Sequence, residues 1–258
     1  MLPVMDGAVK YYQFEAMQAL RHGVFTRQGG VSKVPWSSLN VGGTVGDDPD
    51  DVRRNHEIMY QTLGVNRERS VTTWLVHSVD VVYVDGPLAD RRWFERADAM
   101  ITDRVDTPLV MRYADCTPLY FHDPVKGVIG LAHAGWRGTV NGMAARTVRA
   151  LEQSFGSRPA DIIAGIGPAI GPQRYQVGEE VVSAAQNYFG DLSDIVRRDP
   201  SDDTAYLDLW SANRVDLERA GVEQIEIAGI CTATRMDEFF SHRAEKGRTG
   251  RFGAIISL

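Results

Sequence analysis

The sequence predicts an α+β fold with mixed β-sheets, built as a single domain over residues 1–258. Short runs rich in β-branched and aromatic residues are interleaved with four capped helices, without the strict alternation of a doubly wound sheet. No repeat, low-complexity tract or linker divides the chain. Its 258 residues, 43% of them hydrophobic, suffice for a substantial core.

A first helix is expected over residues 50–63, with acids in its first turn, where they meet the positive helix end, and Gly64 after its last turn. Strands are expected over 79–84, 108–113 and 128–133, each a β-branched or aromatic run. A helix over 141–155 follows, stopped by Gly156 and the later Pro159. The apolar run 162–166 predicts the next strand. Helices over 179–189 and 209–220 are each closed by a glycine, Gly190 and Gly221. Strands over 225–230 and 252–257 end the pattern.

Composition excludes several functions. A net charge of −6 argues against a general nucleic-acid binder, which shows a basic excess. Two cysteines in a chain of this size are no disulfide framework. No apolar run approaches the roughly 20 residues that span a bilayer, and the first residues lack the basic and apolar regions of a secretory signal. The expected setting is cytoplasmic, with a reduced thiol and no membrane partner.

The chemistry concentrates in Ala114-Asp115-Cys116-Thr117-Pro118 and in Leu131-Ala132-His133-Ala134-Gly135-Trp136-Arg137-Gly138-Thr139. Cys116 and His133 each fall near the carboxyl end of an expected strand, so the sheet can bring them together. His77, at the start of another strand, adds a second imidazole. One thiolate and two imidazoles make the ligand set of a catalytic zinc site with an open position. Cys116 with His133 also makes a nucleophile with its base, and the spacing leaves both readings open. Arg137 lies where a strand meets a helix and suits a phosphate. Arg27 and Arg243 are further anion candidates, and Asp115 is a candidate proton shuttle beside the cysteine. The remaining histidines, His56 within its charged helix among them, and Cys231 read as solvated or structural. The run Gly165-Ile166-Gly167-Pro168-Ala169-Ile170-Gly171-Pro172 lacks the Lys-Ser/Thr of a P-loop. A multicopper cluster is disfavoured, because none of the six histidines forms a His-x-His pair.

Several longer runs occur in order: Arg21-His22-Gly23-Val24-Phe25-Thr26-Arg27-Gln28-Gly29-Gly30, Ser38-Leu39-Asn40-Val41-Gly42, Gly46-Asp47-Asp48-Pro49 and Ala97-Asp98-Ala99-Met100-Ile101-Thr102. With the cysteine and histidine runs, Phe240-Ser241-His242-Arg243 and Gly250-Arg251-Phe252-Gly253, they resemble the family once labelled multicopper polyphenol oxidase or laccase-domain proteins, also called peptidoglycan editing factor. The resemblance spans nearly the whole chain.

That resemblance implies two mixed β-sheets packed face to face with helices outside, an α/β/β/α sandwich. It also implies purine nucleoside phosphorylase activity with adenosine deamination, acting on adenosine, inosine, guanosine or methylthioadenosine. The implied metal ligands are His77, Cys116 and His133, with zinc the expected ion and copper the alternative. Cys116, His133 and Asp115 carry the expected catalysis. Arg137, Arg27, Arg243 and Asn40 are the expected phosphate and ribose contacts. The expected partners are a nucleoside and phosphate, for a monomer or homodimer. The same fold occurs in deamidating toxins that use cysteine and histidine, so a cysteine hydrolase or peptidoglycan-editing amidase is the alternative. Two positions depart from the family pattern: Leu75 stands where glutamine is usual and Ser78 where glycine is usual, which removes a pocket-side hydrogen bond and bears on base selectivity.

Overall fold

The computed structural model describes residues 1–87 and 95–258. Strands β1 (Leu2–Asp6), β2 (Val9–Gln13) and β3 (Arg21–Phe25) precede the first helix, α1 (Pro49–Leu63). Strands β4 (Val81–Tyr83), β5 (Ala99–Thr102), β6 (Leu109–Tyr113), β7 (Thr117–Asp123) and β8 (Val128–Ala134) follow. The one-turn helix α2 (Trp136–Thr139) and α3 (Met143–Phe155) lead to β9 (Ile163–Ile166), β10 (Gln176–Val177) and α4 (Glu179–Phe189). Then come β11 (Val196–Arg198), β12 (Ala205–Leu207), α5 (Leu209–Arg219), β13 (Gln224–Ile227) and β14 (Phe252–Ser257).

The helices form where their caps direct. Asp48 accepts the Asp50 amide at 2.8 Å, Pro49 opens α1 without needing a donor, and Gly64 closes it in the left-handed conformation. Asp208 accepts the amides of Trp210 and Ser211 at the start of α5. The helix expected from residue 141 starts at Met143 instead, because the preceding turn is the separate helix α2 and Gly142 (φ +78°) redirects the chain. The strand expected over 79–84 contracts to β4, which leaves His77 on the loop before it.

Two large sheets face each other. One runs β1-β2-β3-β14-β6, with its strands paired antiparallel and a parallel bridge between Val71 and Leu109 at its margin. The other runs β13-β9-β7-β8-β5-β4 and is mixed, with parallel pairs at both ends. Between them lies a core of Tyr12, Val24, Met111, Phe252 and Ile256 from the first sheet and Met100, Tyr120 and Leu131 from the second. Helix α1 covers the outer face of the five-stranded sheet through Met59, Tyr60 and Leu63. Helices α3 and α5 cover the six-stranded sheet through Met143, Val148, Leu151 and Leu217. The expected sandwich is present, and a third small sheet, β10-β12-β11, joins it beside α4. Among the described residues, no helix is long and apolar enough to cross a membrane.

Strand β7 places Tyr120 in the inner core and Leu119 and Phe121 in the outer one. Burial on both faces makes such a strand a continuous apolar run rather than an alternating one. The start of β7 and the end of β8, paired in the middle of the six-stranded sheet, present the site.

Candidate metal centre

Three elements bring together three side chains that could hold a metal. His133 is the penultimate residue of β8. Cys116 occupies the tight turn between β6 and β7, and Pro118 of β7 pairs with His133 across the ladder. His77 comes from the loop before β4. The donor atoms of His77, Cys116 and His133 all lie within 4.8 Å of one another. Such a cluster could hold one zinc ion, whose bonds run about 2.0–2.1 Å to nitrogen and about 2.3 Å to sulfur.

Asp98 fixes the His133 ring and the backbone around His77. Its carboxylate is fully buried and accepts the Nδ1 proton of His133 at 3.0 Å, which leaves Nε2 for the ligand role. The second oxygen of the same carboxylate accepts the backbone amides of Val76 (3.0 Å) and Ser78 (2.8 Å), on either side of His77. The backbone of Asp98 also accepts the amide of His133 at 2.7 Å. Burial pushes Asp98 up, but the hydrogen bond from His133 and the two amides outweigh it and hold the carboxyl below its ordinary value.

The backbone is strained at two of these positions. His77 has φ +59° and Asp115, just before Cys116, has φ +81°. A left-handed conformation outside glycine costs of order 1–3 kcal/mol and persists where surrounding bonds enforce it. Around His77 the enforcing bonds are those of Asp98. At Asp115 they are Thr232 Oγ1 (2.6 Å) and the Arg243 amide (2.6 Å), which donate to its two carboxylate oxygens. Gly135 completes the fit, because a Cβ there would stand 2.9 Å from Cys116 Sγ.

Burial raises the Cys116 thiol, but the charge and hydrogen bonds of His133 and His77 outweigh it and bring it to about 6. Burial lowers His133, and the Cys116 charge with the Asp98 hydrogen bond drive it up to about 9. At neutral pH the pair is therefore a Cys116 thiolate beside a protonated His133, and a soft metal would take the thiolate and displace the Nε2 proton of the imidazolium.

The three ligands open onto a cavity of about 560 Å³. Trp74 and Leu75 supply an apolar wall, so the Leu75 departure falls on the cavity surface itself. Arg112, His242 and Arg251 line the same space, and none of them was singled out from the sequence as a site residue.

The other expected contacts are placed differently. Asn40 is fully buried; its amide group donates to Asp47 (2.8 Å) and its oxygen accepts the amides of Gly42 (2.9 Å) and Arg251 (2.8 Å), so it shapes a loop instead of facing a ribose. Arg27 donates to the carbonyls of Ser37 (2.7 Å) and Met236 (3.0 Å), pairs with Glu245 and stacks on Phe240, which clamps it into the fold. Arg243 donates to the Gln176 carbonyl (2.8 Å) and lies over Tyr175. Arg137 is exposed and stacks on Trp136 at 4.3 Å. Asp115 is a tether between the cysteine turn and the segments at 232 and 243, with both oxygens engaged. His56 is half-buried, not solvated: its ring reaches the Val41 carbonyl at 3.1 Å and stacks on Tyr60. Cys231 accepts the Gly171 amide at 3.1 Å, a structural role.

Residues 21–258 match the family described as multi-copper polyphenol oxidoreductase laccase. The purine nucleoside phosphorylase YlmD of Geobacillus stearothermophilus is 38% identical over 242 residues, covering 91% of this chain and 88% of the relative. The purine nucleoside phosphorylase YfiH of Escherichia coli is 36% identical over 236 residues, covering 90% of this chain and 91% of the relative. Among solved structures, the hypothetical protein YfiH of Bacillus licheniformis superposes with a TM-score of 0.92 at 34% identity, covering 99% of this chain and 98% of that one.

Proposed function

The chain belongs to the multi-copper polyphenol oxidoreductase laccase family, and on that premise we propose that it is a zinc-dependent purine nucleoside phosphorylase that also deaminates adenosine. The carrying observation is the convergence of His77, Cys116 and His133 on one wall of a cavity large enough for a nucleoside. Relatives named for phosphorolysis support the same reading. Zinc suits a set of one thiolate and two imidazoles that leaves a coordination side toward the cavity. Held by these three residues, the ion supplies Lewis-acid chemistry at that open side.

The residues of the chain perform the remaining work. Trp74 and Leu75 bound the space for the base. Asp98 keeps His133 in one tautomer and the His77 loop in one conformation. In phosphorolysis the bond from C1′ to the base breaks, its electron pair leaves with the base, and a phosphate oxygen bonds to C1′. A held phosphate dianion stabilises the positive charge that develops on the ribosyl carbon and is positioned to attack it. In deamination, water oxygen replaces the amino group at C6 and ammonia leaves. Adenosine, inosine, guanosine and methylthioadenosine are the proposed substrates.

A second reading has one observation in its favour: Asp98, His133 and Cys116 form a carboxylate–imidazole–thiol line suited to a cysteine hydrolase or a peptidoglycan-editing amidase. One product assay separates the two. Adenosine with phosphate is expected to give adenine plus ribose 1-phosphate, with inosine and ammonia by the second route, and chelation is expected to stop both until zinc is restored. Activity that survives chelation and His77→Ala but is lost on thiol alkylation favours the hydrolase.

A further inference from the structure

Two guanidinium groups stand on the cavity wall and take no part in the expected phosphate contacts. Arg112 pairs in register with Gly253 across β6 and β14. Arg251 directly precedes β14, two positions before that Gly253, so the two arginines reach the site from adjacent ends of paired strands. Both line the cavity that holds the three metal ligands, with His242 on the same lining. Their forks are held in place. Arg112 donates to the Thr73 carbonyl at 3.1 Å, and Arg251 to the carbonyls of Gly250 (2.8 Å) and Thr249 (3.3 Å). A Cβ on Gly42 would stand 2.7 Å from Arg251 Cγ, so the glycine lets the 42–44 loop close against the arginine stem.

Two like charges on one half-buried cavity wall repel, and water screens them poorly. Burial brings the Arg112 guanidinium down to about 10, with the charge of Arg251 acting in the same direction, yet it stays charged at neutral pH. An anion between the two forks relieves this repulsion and receives planar, charge-assisted hydrogen bonds that a lysine pair would not provide.

We infer that Arg112 and Arg251 form the anion subsite of this cavity and hold the phosphate of the reaction, in place of Arg137, Arg27 and Arg243. The identity of the anion rests on the phosphorolysis reading; the existence of the subsite does not.

The test titrates the zinc-loaded protein with inorganic phosphate by calorimetry, without nucleoside, for wild type, Arg112→Gln, Arg251→Gln and Arg251→Lys. Phosphorolysis rates at varied phosphate and at varied nucleoside are measured in parallel. Each glutamine variant is expected to weaken phosphate binding about tenfold or more and to raise the KM for phosphate alike, as loss of a charged fork implies. The KM for nucleoside is expected to stay near wild type, and Arg251→Lys to fall between wild type and Arg251→Gln. If Arg251→Gln fails to fold, Arg112→Gln and Arg251→Lys carry the test. Wild-type phosphate affinity in these variants overturns the assignment, as does a wild-type protein that binds no phosphate. Phosphate binding that the variants weaken, in a wild type that cleaves no nucleoside, upholds the subsite and removes the phosphorolysis reading.

Discussion

At the scale of single residues, Cys116 and Asp98 do different work and fail differently. Cys116 donates the only sulfur of the ligand group, so Cys116→Ala is expected to lose bound zinc and turnover together, read by metal analysis and product assay on one preparation. Asp98 is not one of the three candidate ligands; it holds the His133 ring and the backbone on either side of His77. Asp98→Asn is therefore expected to weaken zinc affinity about 10–100-fold while the protein still folds, measured by competition with a chelator of known affinity. The clustering of His77, Cys116 and His133 was legible because cysteine and histidine are scarce here and carry distinctive chemistry. Asn40 and Asp115 were not, because sequence does not separate a polar residue that faces a substrate from one that ties two loops. Arg112 and Arg251 were missed for the converse reason: an arginine near a strand reads as solvated until the register places it on a cavity wall.

At the scale of elements, buried ionic contacts fix strands to the segments that shape the site. Glu238 accepts Lys10 Nζ at 2.8 Å and Tyr12 Oη at 2.5 Å, and it pairs with Arg235, which binds β2 to the segment leading into Phe240 and Ser241. Burial raises the Glu238 carboxyl, but the hydrogen bonds from Lys10 and Tyr12 and the nearby positive charges hold it below the ordinary 4.5. A carboxyl depressed on folding stabilises the fold above its unfolded value and loses that contribution as pH falls through its folded value. Glu238→Gln is expected to lower Tm at neutral pH and to flatten the acid limb below 4.5, so the two melting curves converge in acid. The helices with clear caps were legible almost to the residue, as with α4 and the start of α5. The edge strand β1 was not, because Leu2-Pro3-Val4-Met5-Asp6 is short, contains a proline and does not alternate apolar with polar residues. Central β7 was hidden by Pro118, a residue that usually argues against an inner strand but here sits at the second position of the run.

At the scale of the whole molecule, the two sheets are joined by reciprocal hydrogen bonds through the core. Tyr113 of the five-stranded sheet donates to the Ala132 carbonyl of the other (3.0 Å), and Tyr120 donates back to the Gly23 carbonyl (2.8 Å). Tyr120→Phe is expected to destabilise by about 1–2 kcal/mol, seen as a lower urea midpoint with an unchanged slope. The class of fold was legible from the mixture of elements, but strand order was not. β14 inserts between β3 and β6 from the far end of the chain, and the third sheet forms from strands only two or three residues long. The same long-range folding gathers His77, Cys116 and His133 from three separate places. Zinc absorption spectroscopy on the loaded protein tests that convergence most directly. One zinc per chain, with a single sulfur at about 2.3 Å, two imidazole nitrogens at about 2.0–2.1 Å and a remaining light-atom ligand that phosphate or nucleoside perturbs, is the result predicted. A spectrum without a sulfur neighbour, or with four protein ligands indifferent to substrate, contradicts it.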